Sequence, residues 1–387
     1  MPFLDIHAIQ SVPPANINRD ENGSPKTAVY GGAQRLRVSS QAWKRAARRE
    51  MESSSADIPE SRRTKRLPEE IAEEIATRAP ALAEHASAIA QAALSNIFSV
   101  KSTPKKKDGR ERVSTGYLLF LGVDQQARLV DKLLAAQADL LGAAGNSKNL
   151  EKVLKDLKLR DTVATGHPPA VALFGRMIAD DPSLNVDAAC QVAHAISTHA
   201  VEAEFDYYTA VDDIDSEADE TGAGMIGTVE FNAATMYRYA TVDLRSLADN
   251  LGGDTDYATE TAIAFARAFL LSMPTGKRNT FANNTRPDFV LLSLRDDQPV
   301  SLAGAFERPV GGESGHVATS VKRLLRHHAK QDEAYETAPV LSTATYPAWL
   351  SDEEAGFGTG LPESQPLSSA LDAVRGKINQ LMGAADA

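Results

Sequence analysis

Cysteine is nearly absent. Cys190 stands alone among 387 residues, which excludes an intramolecular disulfide and any zinc site built on two thiolates. A reducing cytoplasm is the expected setting. Aromatics are scarce at 6%, and the aromatic signature with which an RNA-recognition sheet stacks bases is missing. Tyr237 and Tyr239 share one face of an expected strand, but core packing accounts for them as readily. Long apolar runs are missing too. The most apolar stretch, Thr261 to Met273, is interrupted by Arg267, so no segment reaches the roughly 20 residues of a membrane span. The opening MPFLDIHAIQ has no basic n-region and no long apolar core, and does not read as a signal peptide. What remains is an ordinary composition, 43% hydrophobic and 24% charged, with length for two or three domain-sized units.

An excess of positive charge is also lacking, since the net charge is −11, and the average alone argues against a nucleic-acid binder. The charges are segregated, however. From Lys26 to Arg66 eleven basic residues face four acids, and a second basic run spans Lys101 to Arg112. Glu202 to Glu220 holds nine acids and neither Lys nor Arg. A local positive surface is compatible with an acidic total.

The patterning predicts an α+β fold, because strands of mixed length alternate irregularly with helices. A strand is expected over Phe3–Ile9, followed by a polar loop. A short extended run, Arg35–Val38, precedes a helix over Gln41–Met51 with Ser39 or Ser40 as its N-cap. Residues 53–115 read as a helical insertion with mobile, basic connectors. A strand is expected over Tyr117–Val123, a helix over Gln125–Leu141, a buried strand over Pro169–Ile178 and a helix over Asp187–His199. The acidic stretch and the long strand Thr228–Asp243 suggest a projecting hairpin, because its acids would be costly to bury unpaired. Helices near Leu244–Leu251 and Ala258–Met273, a strand at Asp288–Leu294 and helices near Val317–Tyr335 and Leu367–Met382 complete the reading.

The most informative segment is Gly31–Arg49. On a helix, Lys44 with Arg48 and Arg45 with Arg49 are i,i+4 neighbours, so two adjacent stripes carry four cations that repel one another. Phosphates would relieve that repulsion, and the helix start adds N–H donors beside Ser39, Ser40 and Gln41. A merely solvated basic face is the alternative. Arg176 and Met177, at the end of an expected strand, have the form of a phosphate contact and an apolar wedge; read locally, Met177 is core filler. Thr275–Thr280 lacks the first glycine and the Ser/Thr of a phosphate loop, leaving Lys277 and Arg278 as backbone contacts. Cys190, His194 and His199 do not share one helical face as a metal site requires. Asp212, Asp213 and Asp215 are possible magnesium ligands for phosphodiester cleavage, or a solvated acidic hairpin that repels misplaced nucleic acid. No metal or other cofactor is expected.

Taken together, several blocks resemble the CasC-type backbone subunit of the type I-E CRISPR Cascade complex. They are DIHAI at Asp5–Ile9, NINRD at Asn16–Asp20 and GGAQRLRVSSQAWKRAARR at Gly31–Arg49. ALFGRM at Ala172–Met177, AHAISTH at Ala193–His199 and DYYTAVDD at Asp206–Asp213 follow, then GTVEFNAATMYRYATVDL at Gly227–Leu244 and TGKRNTFA at Thr275–Ala282. The resemblance implies an RNA-recognition-like (ferredoxin-like) palm, from 1–52, 166–203 and 241–387, the last with C-terminal helices. It implies a helical fingers insertion at 53–165 and a projecting thumb β-hairpin at 204–240. It also implies a non-enzymatic, cytoplasmic protein that polymerises head-to-tail on CRISPR RNA, kinks it at regular intervals and presents its bases to a target DNA strand. The implied companions are the large and small subunits and those that bind the 5′ handle and process the RNA. Carried onto this sequence, the RNA contacts are Lys26, Ser39, Gln41, Lys44, Arg45, Arg48 and Arg49, the wedge Met177 after Arg176, and Tyr208 and Thr209 in the thumb. A related enzymatic reading, from type III backbone subunits, would use Asp212 and Asp213 with magnesium to cut target RNA.

Overall fold

The computed structural model describes residues 2–55, 57–98, 102–107, 110–210, 225–312, 315–351 and 361–383. In chain order its strands are β1 (Phe3–Ala15), β2 (Thr27–Tyr30), β3 (Ala33–Val38), β4 (Ser61–Thr64), β5 (Ser102–Lys107), β6 (Arg110–Thr115) and β7 (Leu119–Gly122). They continue with β8 (Cys190–Val192), β9 (Ala195–Ser197), β10 (Glu204–Ala210), β11 (Met225–Asp243), β12 (Phe289–Arg295) and β13 (Leu341–Thr345). The helices are α1 (Ser40–Ser54), α2 (Leu67–Arg78), α3 (Ala86–Phe98), α4 (Val123–Ala135), α5 (Gln137–Ala143), α6 (Ser147–Asp156) and α7 (Asp161–Ala164). Then come α8 (Pro169–Phe174), α9 (Leu244–Asn250), α10 (Thr255–Leu271), α11 (Arg278–Phe281), α12 (Val317–Tyr335) and α13 (Leu367–Gly383).

The chain divides into two compact units. The first combines Met1–Met51, Gln191–Asp243 and Ala262–Ala387; the second combines Glu52–Cys190 and Leu244–Thr261. The first unit is built on an antiparallel sheet in the order β13-β12-β1-β11-β9-β3-β2. β1 lies at its centre, with Ile6 opposite Ala240 of β11 on one side and Leu292 of β12 on the other. Such a strand is covered on both faces, which is why Leu4 to Gln10 is continuously buried. One face carries Ile9, Tyr237, Tyr239, Phe289 and Leu291, packed against Val321 and Leu324 of α12. The alternate residues, Gln10 and Arg238 among them, point to the other face. There the Arg238 guanidinium lies 3.7 Å from the Trp43 ring centroid and 4.6 Å from that of Phe269. Trp43 and Phe269 therefore bring α1 and α10 onto that second face.

The second unit is mostly helical. Ile71 and Ile75 of α2, Ile89, Ala93 and Ile97 of α3, and Leu129 and Leu133 of α4 form its core. Their i,i+4 spacing gives each helix one apolar stripe. Residues 53–115, expected as a helical insertion, contain α2 and α3. Within the basic run, where a mobile connector was expected, Ser102–Lys107 and Arg110–Thr115 pair as a hairpin, β5 with β6. Residues 166–190, expected in the palm, fall within the second unit.

Two predicted elements are different in kind. Pro169–Ile178 was expected to be a strand, yet Pro169–Phe174 is a helix with proline in its first turn and Gly175 beyond its end at φ 73°. Pro at the start and Gly after the end are helix boundary signals. Ala170 to Leu173 are all fully buried, so no periodic stripe distinguishes helix from strand. Asp187–His199 was expected to be a helix, but holds β8 and β9. Ile196 pairs with Tyr237 of β11 on one side and Arg37 of β3 on the other, and sheet pairing overrides the local alanine content.

The expected hairpin is present. β10 pairs with β11 from Glu204↔Phe231 to Ala210↔Met225, and β11 then runs on into the main sheet. Asp212, Asp213 and Asp215 lie outside the described residues.

Candidate nucleic-acid interface

α1 is anchored by Trp43, Ala47 and Met51, which are buried one helical turn apart. Lys44 and Arg48 lie half-buried beside this stripe, while Arg45 and Arg49 are exposed. Among the described residues no ion pair engages Lys44, Arg45 or Arg49. Anchoring one face through Trp43 thus turns a row of cations outward, as the spacing predicted.

The start of α1 is held by three acceptors. The Ser39 hydroxyl accepts the Ala42 N–H at 3.3 Å, as its expected N-cap role requires. Asn18 Oδ1 accepts the Ser39 N–H at 2.8 Å, and His194 Nδ1 accepts the Ser40 N–H at 2.9 Å. An imidazole nitrogen that accepts cannot carry a proton. Burial, and then the nearby Arg37 and Lys26, hold the His194 pKa below its ordinary value, so the ring stays neutral in this role. Sequence reasoning missed Asn18 and His194 as supports, because their partners lie 21 and 154 residues away along the chain.

The Asn16–Asn18 segment gathers the remaining pieces. The Lys26 N–H bonds the Asn18 carbonyl at 2.9 Å. A Cβ on Gly276 would sit 2.4 Å from the Ile17 carbonyl oxygen, so only glycine lets the loop carrying Lys277 and Arg278 close against it. Lys277 itself is left-handed at φ 49°. Asn16 Nδ2 donates to the carbonyls of Gly23 and Glu230, both at 2.9 Å, and so ties this segment to the root of the hairpin. Lys26, Ser39, Gln41, the α1 cations, Lys277 and Arg278 are thus brought to one neighbourhood of the first unit.

Within the hairpin, Tyr208 lies across Gly227, where a Cβ would come 2.2 Å from the ring. Tyr208 is 44% exposed. Thr209 pairs with Ile226 through its backbone; its side chain lies outside what is described.

Arg176 and Met177 belong to the second unit, and the structure separates their roles. Met177 is 80% exposed, which overturns its reading as core filler. Arg176 is buried, so its expected phosphate contact is corrected. Its guanidinium donates to the Leu184 carbonyl at 3.0 and 3.1 Å and to the Val163 carbonyl at 3.1 Å. Burial pushes its pKa down to about 10. Its backbone exchanges two 2.9 Å hydrogen bonds with Val186. A Cβ on Gly175 would lie 2.7 Å from the Val186 carbonyl. Arg176 and Gly175 therefore fix a rigid turn whose outermost side chain is Met177.

The family of CT1975-like proteins matches over residues 4–364. The chain belongs to that family. No curated protein matches it. Among solved structures, this CT1975-like chain is similar to one titled "CRISPR RNA-guided surveillance complex, pre-nicking". The identity is 34% and the TM-score 0.81, covering 97% of this chain and 100% of the other. It is also similar to one titled "CRISPR RNA-guided surveillance complex", at 30% identity and TM-score 0.73, covering 97% and 99%. Among the described residues no helix of this family member is long and apolar enough to cross a membrane.

Proposed function

We propose that this chain is the guide-RNA-binding backbone subunit of a type I-E CRISPR Cascade complex. The observation that carries the reading is the outward row of α1 cations, set beside the Asn16–Asn18 segment with Lys26, Lys277 and Arg278. It occurs on a fold shared with subunits of RNA-guided surveillance complexes. Lys44, Arg45, Arg48 and Arg49 grip phosphates, and Ser39 and Gln41 meet the backbone at the helix start. Met177 is the apolar wedge between bases, and Tyr208 and Thr209 meet the kinked nucleotide. Several copies line up head-to-tail in the cytoplasm, and the bases between kinks pair with a target DNA strand in antiviral defence. The protein reads phosphate geometry and leaves sequence to base pairing. Its companions are the large, small, 5′-handle-binding and RNA-processing subunits.

The RNA-recognition-like palm is supported by strand order. Taking β1, β9, β11 and β12 as the four strands, with α1 after the first and α10 after the third, their order in the sheet is β12-β1-β11-β9. That is the arrangement of a split βαβ fold. α12 covers the face on which such a sheet would stack bases, burying Tyr237 and Tyr239.

The test is co-expression with a cognate CRISPR RNA, then electron microscopy and ribonuclease footprinting. A helical ribbon that protects RNA at a regular repeat is expected. Monomeric protein free of RNA, even with the companion subunits added, would refute the reading. The protein acts without catalysis of its own. In the rival type III-like reading, Asp212 and Asp213 support metal-dependent RNA cleavage, and activity abolished by substituting both would favour it.

A further inference from the structure

The first unit carries a second cationic helix, which the proposed function does not use. Along α12, Lys322, Arg326 and Lys330 recur every four residues and are all exposed, spaced about 6 Å along the axis. No acid lies three or four residues from Lys322 or Arg326 on the helix. Of the two acids on α12, Asp332 is engaged by Arg295 at 3.3 Å and His328 at 3.4 Å, and only Glu333 remains near Lys330. Among the described residues Arg326 and Lys330 form no ion pair. A surface shaped for solubility alone mixes the signs.

At its N-terminal end the stripe meets a groove of about 820 Å³, a volume within the range of small-molecule sites. Ser11, Thr235, His199, His316, Lys322 and Trp349 are among its lining residues. Trp349 is 46% exposed. Hydrogen bonds and stacking hold His199 in the groove wall. His199 Nε2 accepts the Thr235 N–H at 3.1 Å, its Nδ1 meets the Ala200 carbonyl at 2.9 Å, and its ring stacks on His316 at 3.9 Å.

We propose that this groove and stripe bind a single strand of nucleic acid other than the guide. A positive track beside an exposed aromatic is the combination that holds single strands without reading their sequence. α12 packs on the sheet face carrying Tyr237 and Tyr239, whereas α1 packs on the face carrying Arg238, so this track and the α1 grip lie on opposite sides of one sheet. Two strands can then occupy the same unit without competing for the same phosphate contacts.

The test uses the full chain and a fluorescein-labelled deoxythymidine 20-mer, titrated by anisotropy across a salt series. Lys322→Gln, Arg326→Gln and Lys330→Gln are combined in one variant and Trp349→Ala made separately. Both are measured with α1 intact and with its four cations changed to glutamine. The triple variant should lose about 2 in log–log salt slope in either background, at about 0.7 per phosphate contact. Trp349→Ala should weaken binding roughly tenfold and leave the slope unchanged. An unchanged slope in both backgrounds overturns the proposal. So does a smaller assembly with oligonucleotide binding intact, which would make this face a contact between copies. Retention of guide RNA is read separately. Its loss follows the α1 substitutions and tests the grip; the α12 variant should retain it.

Discussion

α1 and the turn at Gly175–Ile178 present side chains to solvent by opposite means. α1 uses regular structure: a buried tryptophan stripe holds one face inward, and four cations follow from the helical repeat. The turn has no repeat to rely on. It buries a guanidinium against carbonyl groups and uses a glycine at positive φ, all to expose one methionine. In both places the residues that meet solvent differ from those that hold them there. Substitutions should therefore divide sharply into those that unfold and those that only disarm.

Trp43→Ala is expected to break the helical side of this comparison hardest. It removes a buried indole at a cost of about 3–5 kcal/mol, read as a large drop in melting temperature. If stability held, α1 would be anchored by something other than its aromatic contact. Arg176→Leu should cost about 1–3 kcal/mol for the buried Leu184 carbonyl it leaves unpartnered, and should disturb the proposed base flipping while leaving the salt slope of RNA binding in place. A changed slope would return Arg176 to the phosphate contacts.

A third test concerns the sheet face opposite α1, where Asp5 and His7 meet Tyr239 and Tyr237. Burial raises the Asp5 pKa to about 6 and lowers that of His7 to about 3. The Asp5 contribution to stability falls as pH rises from about 4 to 6, whereas the His7 contribution rises with pH from about 3 to 6.5. Between pH 4 and 6 the two oppose each other, so this pair should leave the intact chain nearly flat. Asp5→Asn should uncover a loss of about 1.4 kcal/mol per unit as pH falls through that window. Thermal melts across pH read it directly, and a slope that stays flat would contradict the assignment. The smallest expected effect on stability is the most pointed. Lys44→Ala with Arg48→Ala should stay within about 0.5 kcal/mol of the original while removing roughly 1.4 of single-strand salt slope. An unchanged slope would place the grip elsewhere.

The same division explains what the sequence disclosed. The cations of α1, its Ser39 cap, the long hairpin and the last helices each carry a local signal: periodicity, a capping residue, alternation. Pro169–Phe174 carried none, because a segment buried all round has no stripe, and its flanking Pro and Gly were the only guides. Asn16, Asn18 and His194 act on partners far along the chain, and nothing near them in sequence announces it. At Met177 the local pattern left an apolar wedge and core filler both open, and the resemblance favoured the wedge. Its exposure depends on Arg176 folding inward, a choice made by carbonyl groups at Val163 and Leu184.

The guanidinium of Arg238 has a consequence for how the molecule opens. It hydrogen-bonds Gln10 of β1 and the Phe269 carbonyl of α10, lies over Trp43 of α1, and is pushed down to a pKa of about 9 by burial. No carboxylate accompanies it among these contacts, so its company is aromatic rings and neutral oxygens from three other elements. If α1 lifted away alone, it would strip the ring from a charge still enclosed by the sheet. Partial opening of that helix is thus disfavoured, and α1 and the strands beneath it should melt as one cooperative block. Amide hydrogens in the middle of α1 should exchange only with global unfolding, at the same slow rate as those of β1.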